Sequence, residues 1–265
     1  MIALCDESWE QRIFDYIDND IAKCLYLYID IKKYGFTASF TKLYAQEAHD
    51  GIACLIFCYH TGVHIYSRDM NYKSEEICSL LERLAPSMIC GTDEIIRDIA
   101  NHLNGYAPTF GRIMRCDNLQ VTSNCSDIVH VSGDGLLDVA ALLCADEGIG
   151  GSYSQAEMAL QLQERQESAF GRNYAIKGEG HIISHAGTGA ELDDIAVISS
   201  VVTVPACKGQ GLATNILIQL CHDLSAEGKT IYSVVYTPSA LRMHEKSGFA
   251  YCNGWAKLTK LAKSS

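Results

Sequence analysis

The sequence contains no apolar run long enough to cross a bilayer, and it is short of basic residues. Its longest apolar segments, AALLCA and ACLIFC, fall well below the roughly 20 residues that a transmembrane helix needs. The N-terminal MIALCDESWEQ lacks a basic region followed by an apolar stretch, so we expect no signal peptide. The net charge of -11 argues against nucleic acid, because phosphates require a basic surface. We therefore expect no membrane or nucleic-acid partner and a cytoplasmic location.

The sequence also lacks any CxxC pair, although it contains 12 cysteines. Cys54 and Cys58 share one face of a predicted strand, where they are either a metal or redox pair or two small buried apolar side chains. Without a secretory signal, reduced thiols fit better than a disulfide framework. His181 and His185 also share a strand face, with either a substrate-side or a packing role. Since no third ligand accompanies them, we predict no metal site.

Hydrophobic patterning predicts the same order of elements in both halves of the chain. Each half contains two helices, three strands, a helix, a strand and a helix, as judged from the periods of the apolar residues. In the first half, Thr61 and Gly62 are predicted to form a hairpin turn. The stretch near 106–127 shows no regular pattern. We predict two domains of the same architecture, with a boundary near residues 106–115.

The segment VVTVPACKGQGLATNIL, residues 201–217, places two glycines and a lysine between a β-branched strand and a helix. Glycines allow unusual backbone angles and close approach of a ligand, and the first amide protons of the helix point back at the loop. Together with the helix dipole and Lys208 they make an anion site. Spacing alone leaves a plain turn open, since neither GxxxxGK[ST] nor GxGxxG occurs.

Two motifs in this half resemble those of the GNAT superfamily of N-acyltransferases. Lys208–Ala213, KGQGLA, resembles the family's acyl-CoA pyrophosphate loop, (Arg/Gln)-x-x-Gly-x-(Gly/Ala), with lysine where arginine is usual. Ala240–Phe249, ALRMHEKSGF, is similar to the family's A-x-x-x-Y-E-K-x-G-F. The resemblance covers roughly residues 112–265. It implies an α/β (α+β) fold of two tandem GNAT-like domains, 1–108 and 112–265, each a mixed central sheet flanked by helices.

The same resemblance implies an acetyl-CoA-dependent N-acetyltransferase that acts by direct transfer on a primary amine of a small molecule or peptide. In the first domain, IYSRDMNYKSEE has no glycine before its helix, so we predict a degenerate domain that does not bind CoA. In the second domain, backbone groups at the strand end would pair with pantetheine, and loop amides would hold the pyrophosphate. The implied cofactor residues are Val202, Thr203, Val204, Lys208, Gly209, Gln210, Gly211, Leu212, Ala213 and Thr214.

The catalytic residues are less sharply indicated. His244 stands where the family often has a tyrosine that protonates the leaving thiolate, and it is either an acid or a packed helix histidine. Tyr236 is a second candidate acid or a tyrosine at the rim. Asp194, with Glu191 and Asp193, is a candidate base or part of a solvated turn, and a water chain is the alternative base. A non-catalytic acyl-CoA-binding or regulatory protein, transfer of another acyl group, and a homodimer all remain open.

Overall fold

The computed structural model describes residues 1–49, 51–119, 127–146, 148–149 and 153–261. The chain forms two compact units, one of Met1–Ile113 with Cys252–Ser265 and the other of Met114–Tyr251. The last segment of the chain thus belongs to the first unit, unlike in the predicted division into 1–108 and 112–265. Strand pairing is the reason, because Ala256–Thr259 run antiparallel to Met88–Gly91.

The described part of the chain contains twelve strands and eight α-helices. The strands are β1 (Ile2–Leu4), β2 (Thr41–Ala48), β3 (Gly51–Tyr59), β4 (Gly62–Tyr66), β5 (Met88–Gly91), β6 (Tyr106–Cys116), β7 (Ile128–His130), β8 (Asn173–Gly178), β9 (His181–Glu191), β10 (Ile195–Thr203), β11 (Thr230–Val235) and β12 (Phe249–Lys260). The helices are α1 (Glu10–Ile17), α2 (Leu25–Tyr34), α3 (Ser74–Leu84), α4 (Asp93–Ala100), α5 (Gly135–Cys144), α6 (Gln155–Glu167), α7 (Leu212–Ala226) and α8 (Pro238–Lys246).

Both units contain a mixed sheet with the same strand directions. In the first unit β1, β2, β3 and β4 are antiparallel neighbours, β5 is parallel to β4, and β12 is antiparallel to β5. In the second unit β7, β8, β9 and β10 are antiparallel neighbours and β11 is parallel to β10. A helical crossover joins each parallel pair, α3 in the first unit and α7 in the second. The predicted class, a mixed sheet flanked by helices, is confirmed.

Each sheet buries an apolar cluster on both of its faces. In the first unit α3 and α4 cover one face and α1 and α2 the other. In the second unit α5 and α6 cover one face, with Leu143 and Met158 buried, and α7 covers the other with Leu217 and Cys221. The amphipathic periods that predicted these helices therefore correspond to buried faces. At about 25 cal/mol per Å² of apolar surface, these clusters are the main source of stability.

Two strands and one turn depart from the sequence predictions. The short strand β1 precedes the first helix, and β6 occupies part of the stretch expected to be irregular. Along β6 only Ile113 and Met114 are fully buried, so the strand lacks the alternation that identifies a half-buried strand. The hairpin turn lies at His60 and Thr61, with His60 at a φ of 49°, and Gly62 already begins β4.

The cysteines that the structure describes are all free thiols. Cys54 and Cys58 lie in the apolar cluster beneath α3, and burial raises the pKa of the Cys58 thiol to about 11. That environment is the one expected of small buried apolar side chains. The described residues contain no group of three or more His, Cys, Asp or Glu placed to bind a metal ion. Over the same ranges, every helix is too short or too polar to cross a membrane.

Candidate functional site

The two parallel strands of the second unit diverge towards their C-terminal ends. Pairing between β10 and β11 runs from Ile195 opposite Thr230 to Ile198 opposite Ser233. Strand β10 then continues to Thr203 and β11 to Val235, and no further pair between them occurs in the described residues. The edge of β10 that faces β11 is therefore open for several residues.

A β-bulge lies in β10 just beyond the last paired residue. The register with β9 shifts between Ser199, opposite Gly187, and Val202, opposite His185, so that β10 has one extra residue. Ser200 has a φ of 55°, in the left-handed region that side chains rarely adopt. A bulge of this kind bends the strand and removes backbone groups from the ladder. The sequence pattern does not predict this bulge, although two consecutive serines interrupt an otherwise apolar strand at this point.

His185 holds the bulge from the neighbouring strand. Its ring is completely buried, and Nδ1 lies 2.8 Å from the carbonyl oxygen of Ser200. Nε2 lies 3.1 Å from Oδ1 of Asn173, a contact that becomes a hydrogen bond once the amide is turned so that its NH₂ group donates. Burial lowers the pKa of His185 to about 4, so the neutral ring donates from Nδ1. Of the two roles open for His185, the geometry favours packing, whereas His181 is exposed.

The low pKa of His185 makes stability depend on pH. The unfolded chain binds a proton at this histidine near pH 6.5, whereas the folded protein resists it down to about 4. We expect the free energy of unfolding to fall as the pH drops from 6.5 to 4, by up to about 1.4 kcal/mol per pH unit. His185→Gln removes this titration and keeps an amide donor. Urea unfolding at several pH values measures the free energy of unfolding of the wild type and of His185→Gln. A difference between these two free energies that stays constant from pH 6.5 to 4 would contradict the prediction.

The loop after β10 presents an uncapped helix N-terminus. Pro205–Cys207 form a short 3-10 turn, Lys208 is extended and exposed, and Gly209 and Gly211 have φ of 83° and 79°. Gly211 is the N-cap of α7, and no side chain caps this helix in the described residues. A Cβ atom added at Gly209 or Gly211 would meet no heavy atom within 4 Å. The N-terminus of α7 thus has no side-chain cap among the described residues and has space beside its glycines, the geometry that favours an anion.

Successive residues of β10 direct their backbone N–H and C=O groups to opposite edges of the strand, and this holds for the residues predicted to bind pantetheine. The N–H of Val204 donates to the carbonyl of Ile183 at 2.9 Å, so Val204 faces β9. Thr203, one residue earlier, faces the opposite edge, where β11 has diverged. Val202 is buried and pairs with His185. Of the three residues, Thr203 is thus the one whose backbone groups point to the open side.

His244 is a buried histidine in α8. It is 2% exposed, and its Nδ1 lies 2.8 Å from the carbonyl oxygen of Ala240, one turn earlier. The Phe249 ring packs edge-on at 4.9 Å between centroids. Nε2 is also buried and has no hydrogen-bond partner among the described residues. Burial lowers the pKa of His244, so its ring is neutral at pH 7.

A close backbone contact explains the glycine of the second motif. Gly248 has a φ of 92°, and its carbonyl oxygen accepts hydrogen bonds from the amides of Asp117 and Asn118 at 3.2 and 3.3 Å. A Cβ atom here would lie 2.2 Å from the Asn118 carbonyl oxygen, so only glycine fits. The motif's glycine thus fixes the start of β12 beside the end of α8.

The candidate acids and bases lie at opposite ends of the strands. Tyr236 follows the C-terminal end of β11 and is 41% exposed, on the side where the strands diverge. Asp194 precedes the N-terminal end of β10, and its carbonyl accepts from the amide of Thr230. At about 3.3 Å per residue, the length of β10 puts Asp194 roughly 30 Å from the loop. Asp194 is therefore a residue of a solvated turn, and its prediction as the catalytic base is corrected.

Glu191, next to that turn, is also engaged elsewhere. Its side chain is 4% exposed and accepts from Nε and Nη2 of Arg172 at 2.8 and 2.6 Å. Thr188 adds a third hydrogen bond, from Oγ1 at 2.6 Å. These contacts occupy both oxygens of the Glu191 carboxylate. None of the three predicted carboxylates thus lies beside the bulge and the loop, whereas Tyr236 follows β11 on the side where the strands diverge.

Comparisons with known proteins agree on one family. The family model described as Acetyltransferase (GNAT) family matches residues 138–249, and no curated protein matches the chain. A GCN5-related N-acetyltransferase from Sphaerobacter thermophilus is 16% identical, with a TM-score of 0.64 over 98% of this chain and 95% of that chain. A GNAT acetyltransferase from Colwellia psychrerythraea is 13% identical, with a TM-score of 0.61 over 99% and 100%.

A tandem GNAT protein from the clavulanic acid biosynthesis pathway has the same fold over the whole chain. It is 11% identical, with a TM-score of 0.57 over 100% of this chain and 99% of that chain. This similarity supports the predicted duplication, since each unit here has the same strand directions and crossover. Residues 138–249 therefore match the model of the GNAT acetyltransferase family, and the whole chain has the fold of a tandem GNAT protein.

Proposed function

We propose that the second unit moves an acetyl group from acetyl-CoA to a primary amine of a small molecule or peptide, by direct transfer. The match of residues 138–249 to the GNAT acetyltransferase family supports acyl transfer in general. The observation that carries the finer proposal is the open edge of β10 leading directly into the uncapped N-terminus of α7. A CoA thioester has a peptide-like arm that can extend a strand and a pyrophosphate that suits a helix N-terminus.

The residues present fit this cofactor. The backbone of Thr203 faces the open edge, and the loop beyond it has room for phosphate at Gly209 and Gly211. Lys208 is exposed and adds positive charge. The residues proposed to hold the pyrophosphate are Lys208, Gly209, Gln210, Gly211, Leu212, Ala213 and Thr214. When bound, acetyl-CoA supplies an acyl carbon activated as a thioester.

The bulge offers a donor for the acyl oxygen. Val201 lies two residues before Thr203 on the same edge, beyond the last pair with β11 and outside the register with β9. Its amide is therefore available to stabilise negative charge on a carbonyl oxygen, and the His185–Ser200 contact fixes its direction. Transfer further requires a neutral amine and a proton for the leaving sulfur.

The first unit is proposed to lack a cofactor site. At the N-terminus of α3, the side chain of Gln46 accepts from the Lys73 amide at 2.8 Å and donates to the Lys73 carbonyl at 3.1 Å. Glu75 and Glu76 stand in the first turn of that helix, and Glu76 pairs with the amino group of Met1 at 3.2 Å. Carboxylates already occupy the electropositive end of this helix, so pyrophosphate would be repelled.

Titration with acetyl-CoA tests the proposal. We expect one binding site per chain by calorimetry and, at a hundredfold excess over Kd, about 2.7 kcal/mol of added stability. A short acetyl thioester without the nucleotide is the control and should bind far more weakly. Release of CoA thiol is then followed with a panel of primary amines. Absence of both binding and stabilisation by acetyl-CoA would exclude the proposal, and two equivalent sites would refute the account of the first unit.

A non-catalytic acyl-CoA-binding protein is the second candidate. Two observations favour it: His244 replaces the family tyrosine, and the predicted base Asp194 lies at the far end of β10. Saturable binding of acetyl-CoA without thiol release for any amine in the panel would support this candidate over the enzyme.

A further inference from the structure

The hydrogen bond of His244 fixes which of its ring nitrogens carries the proton. Its partner at 2.8 Å is the Ala240 carbonyl oxygen, which can only accept. Nδ1 must therefore be the donor, and in the neutral ring Nε2 is left with a free lone pair. A neutral ring in this tautomer cannot donate from Nε2, so it cannot act as the simple acid that replaces a tyrosine.

The unprotonated nitrogen of His244, Nε2, is buried and accepts no hydrogen bond from the described residues. Nε2 is one of three buried side-chain nitrogen or oxygen atoms without a partner in the described part of the chain. Leaving such an acceptor unsatisfied costs roughly 1–3 kcal/mol, so the atom calls for an explanation in function. The other two atoms, in His64 and Gln166, belong to residues outside α7, α8 and the cofactor loop.

The surroundings of the ring keep it neutral. The Ala240 carbonyl contacts Nδ1 and the Phe249 ring packs against the imidazole, while the adjacent charged residues of α8, Glu245 and Lys246, are exposed. Only burial and the Ala240 bond perturb the pKa of His244, with burial the larger and lowering it. At neutral pH Nε2 therefore carries no proton.

Helix α8 begins on the side of the sheet where the open edge of β10 lies. Because β10 and β11 are parallel, α7 and α8 both start at the edge where these strands diverge. His244 lies six residues after Pro238, the first residue of α8, or about 9 Å along the helix axis. The ring is thus within one or two turns of the end of β11.

We propose that His244 is a proton relay that accepts a proton from the attacking amine at Nε2 and passes it to the departing sulfur. This inference rests on the proposed acetyl transfer. The amine nitrogen bonds to the acyl carbon and loses one proton to Nε2 while the carbon–sulfur bond breaks. The imidazolium then returns that proton to the sulfur, which leaves as the thiol. One residue supplies both the base and the acid, and the ring ends in its starting tautomer.

The tautomer can be tested without turnover. We expect ¹⁵N spectra of histidine-labelled protein at pH 7.5, assigned with His244→Gln, to show a protonated Nδ1 and an unprotonated Nε2. Addition of CoA, whose thiol can donate, should shift the Nε2 signal. A protonated Nε2, or an Nε2 signal that CoA leaves unchanged while calorimetry detects CoA binding, would overturn the relay.

The kinetic test separates the relay from acetyl transfer itself. His244→Phe should lower kcat by about a hundredfold, within the usual range for a lost acid–base group, with the acetyl-CoA affinity unchanged. Glu245→Gln, an exposed neighbour, is the matched control and should keep the wild-type rate. The wild-type rate should also fall as the pH drops through the His244 pKa, below 6.5, a limb that His244→Gln should lack.

The outcomes distinguish the two proposals. Thiol release by the wild type together with an undiminished rate in folded His244→Phe would overturn the relay and leave acetyl transfer standing. An equal loss of activity at low pH in the wild type and in His244→Gln would likewise overturn the relay and leave acetyl transfer standing. If the wild type neither binds acetyl-CoA nor releases thiol, acetyl transfer fails and the relay fails with it. His244→Tyr, which donates but accepts poorly, should regain only part of the rate.

Discussion

Gly211→Trp should abolish acetyl-CoA binding, lowering the affinity at least a hundredfold. The N-cap of α7 adjoins open space, since a Cβ atom at Gly211 would have no heavy atom of the described residues within 4 Å, and the proposed pyrophosphate needs that space. An indole would fill it and block the first amides of the helix. Isothermal titration with acetyl-CoA measures the loss, which corresponds to about 2.8 kcal/mol or more at 1.4 kcal/mol per tenfold change.

Gly228 provides the matched control for this variant. It follows the C-terminal end of the same helix and also has a φ of 79° and no heavy atom within 4 Å of a Cβ position. Gly228→Trp therefore carries the same conformational strain in equally open surroundings. It should bind acetyl-CoA like the wild type while losing similar stability. Equal loss of binding in the two variants would show that strain, and not occupation of the loop, is responsible.

Arg172→Ala should destabilise the second unit by about 3 kcal/mol, since it leaves a buried carboxylate without its main partner. Arg172 makes two hydrogen bonds to Glu191, at 2.8 and 2.6 Å, and two to Glu227, at 2.6 and 2.7 Å. Without it, Glu191 retains the Thr188 hydroxyl and the more distant Lys229 ammonium at 3.9 Å. Urea unfolding measures the change.

The exposed partner of the same arginine gives the control. Glu227 is 42% exposed, so Glu227→Gln removes a solvated ion pair and should cost no more than about 1 kcal/mol. Both variants should bind acetyl-CoA normally while folded, because Glu191 lies roughly 30 Å along the sheet from the loop. An Arg172→Ala variant as stable as Glu227→Gln would contradict the assigned role of the buried pair.

Local sequence signals predicted the elements and the loop. The apolar periods of α3 and α7 reflect burial of one helix face, and the β-branched run of β10 reflects a strand buried on both faces; sequence records both patterns directly. Gly209 and Gly211 were recognisable because a strand, a turn and a helix follow one another without interruption. The tandem arrangement was also predictable, since both units repeat one order of elements.

Long-range relations were not predictable in the same way. The Ser200 bulge depends on where β9 and β11 pair, and the two serines indicate only that the alternation is interrupted. Arg172 and Glu191 are 19 residues apart, so the pair that removes Glu191 from the list of bases exists only after β8 and β9 align. The tautomer of His244 follows from the backbone of α8, and no feature of the motif distinguishes an acid from an acceptor at that position.

The final strand of the chain, paired with β5, also determines the order in which the first unit is completed during synthesis. When the first 113 residues have been made, β5 still has an unpaired edge beside buried residues such as Ile89 and Cys90. An open edge of this kind is a site for non-native pairing until a strand covers it. The ribosome must produce the whole second unit before Ala256–Thr259 can close that edge. The unit that begins first is thus the last to be finished.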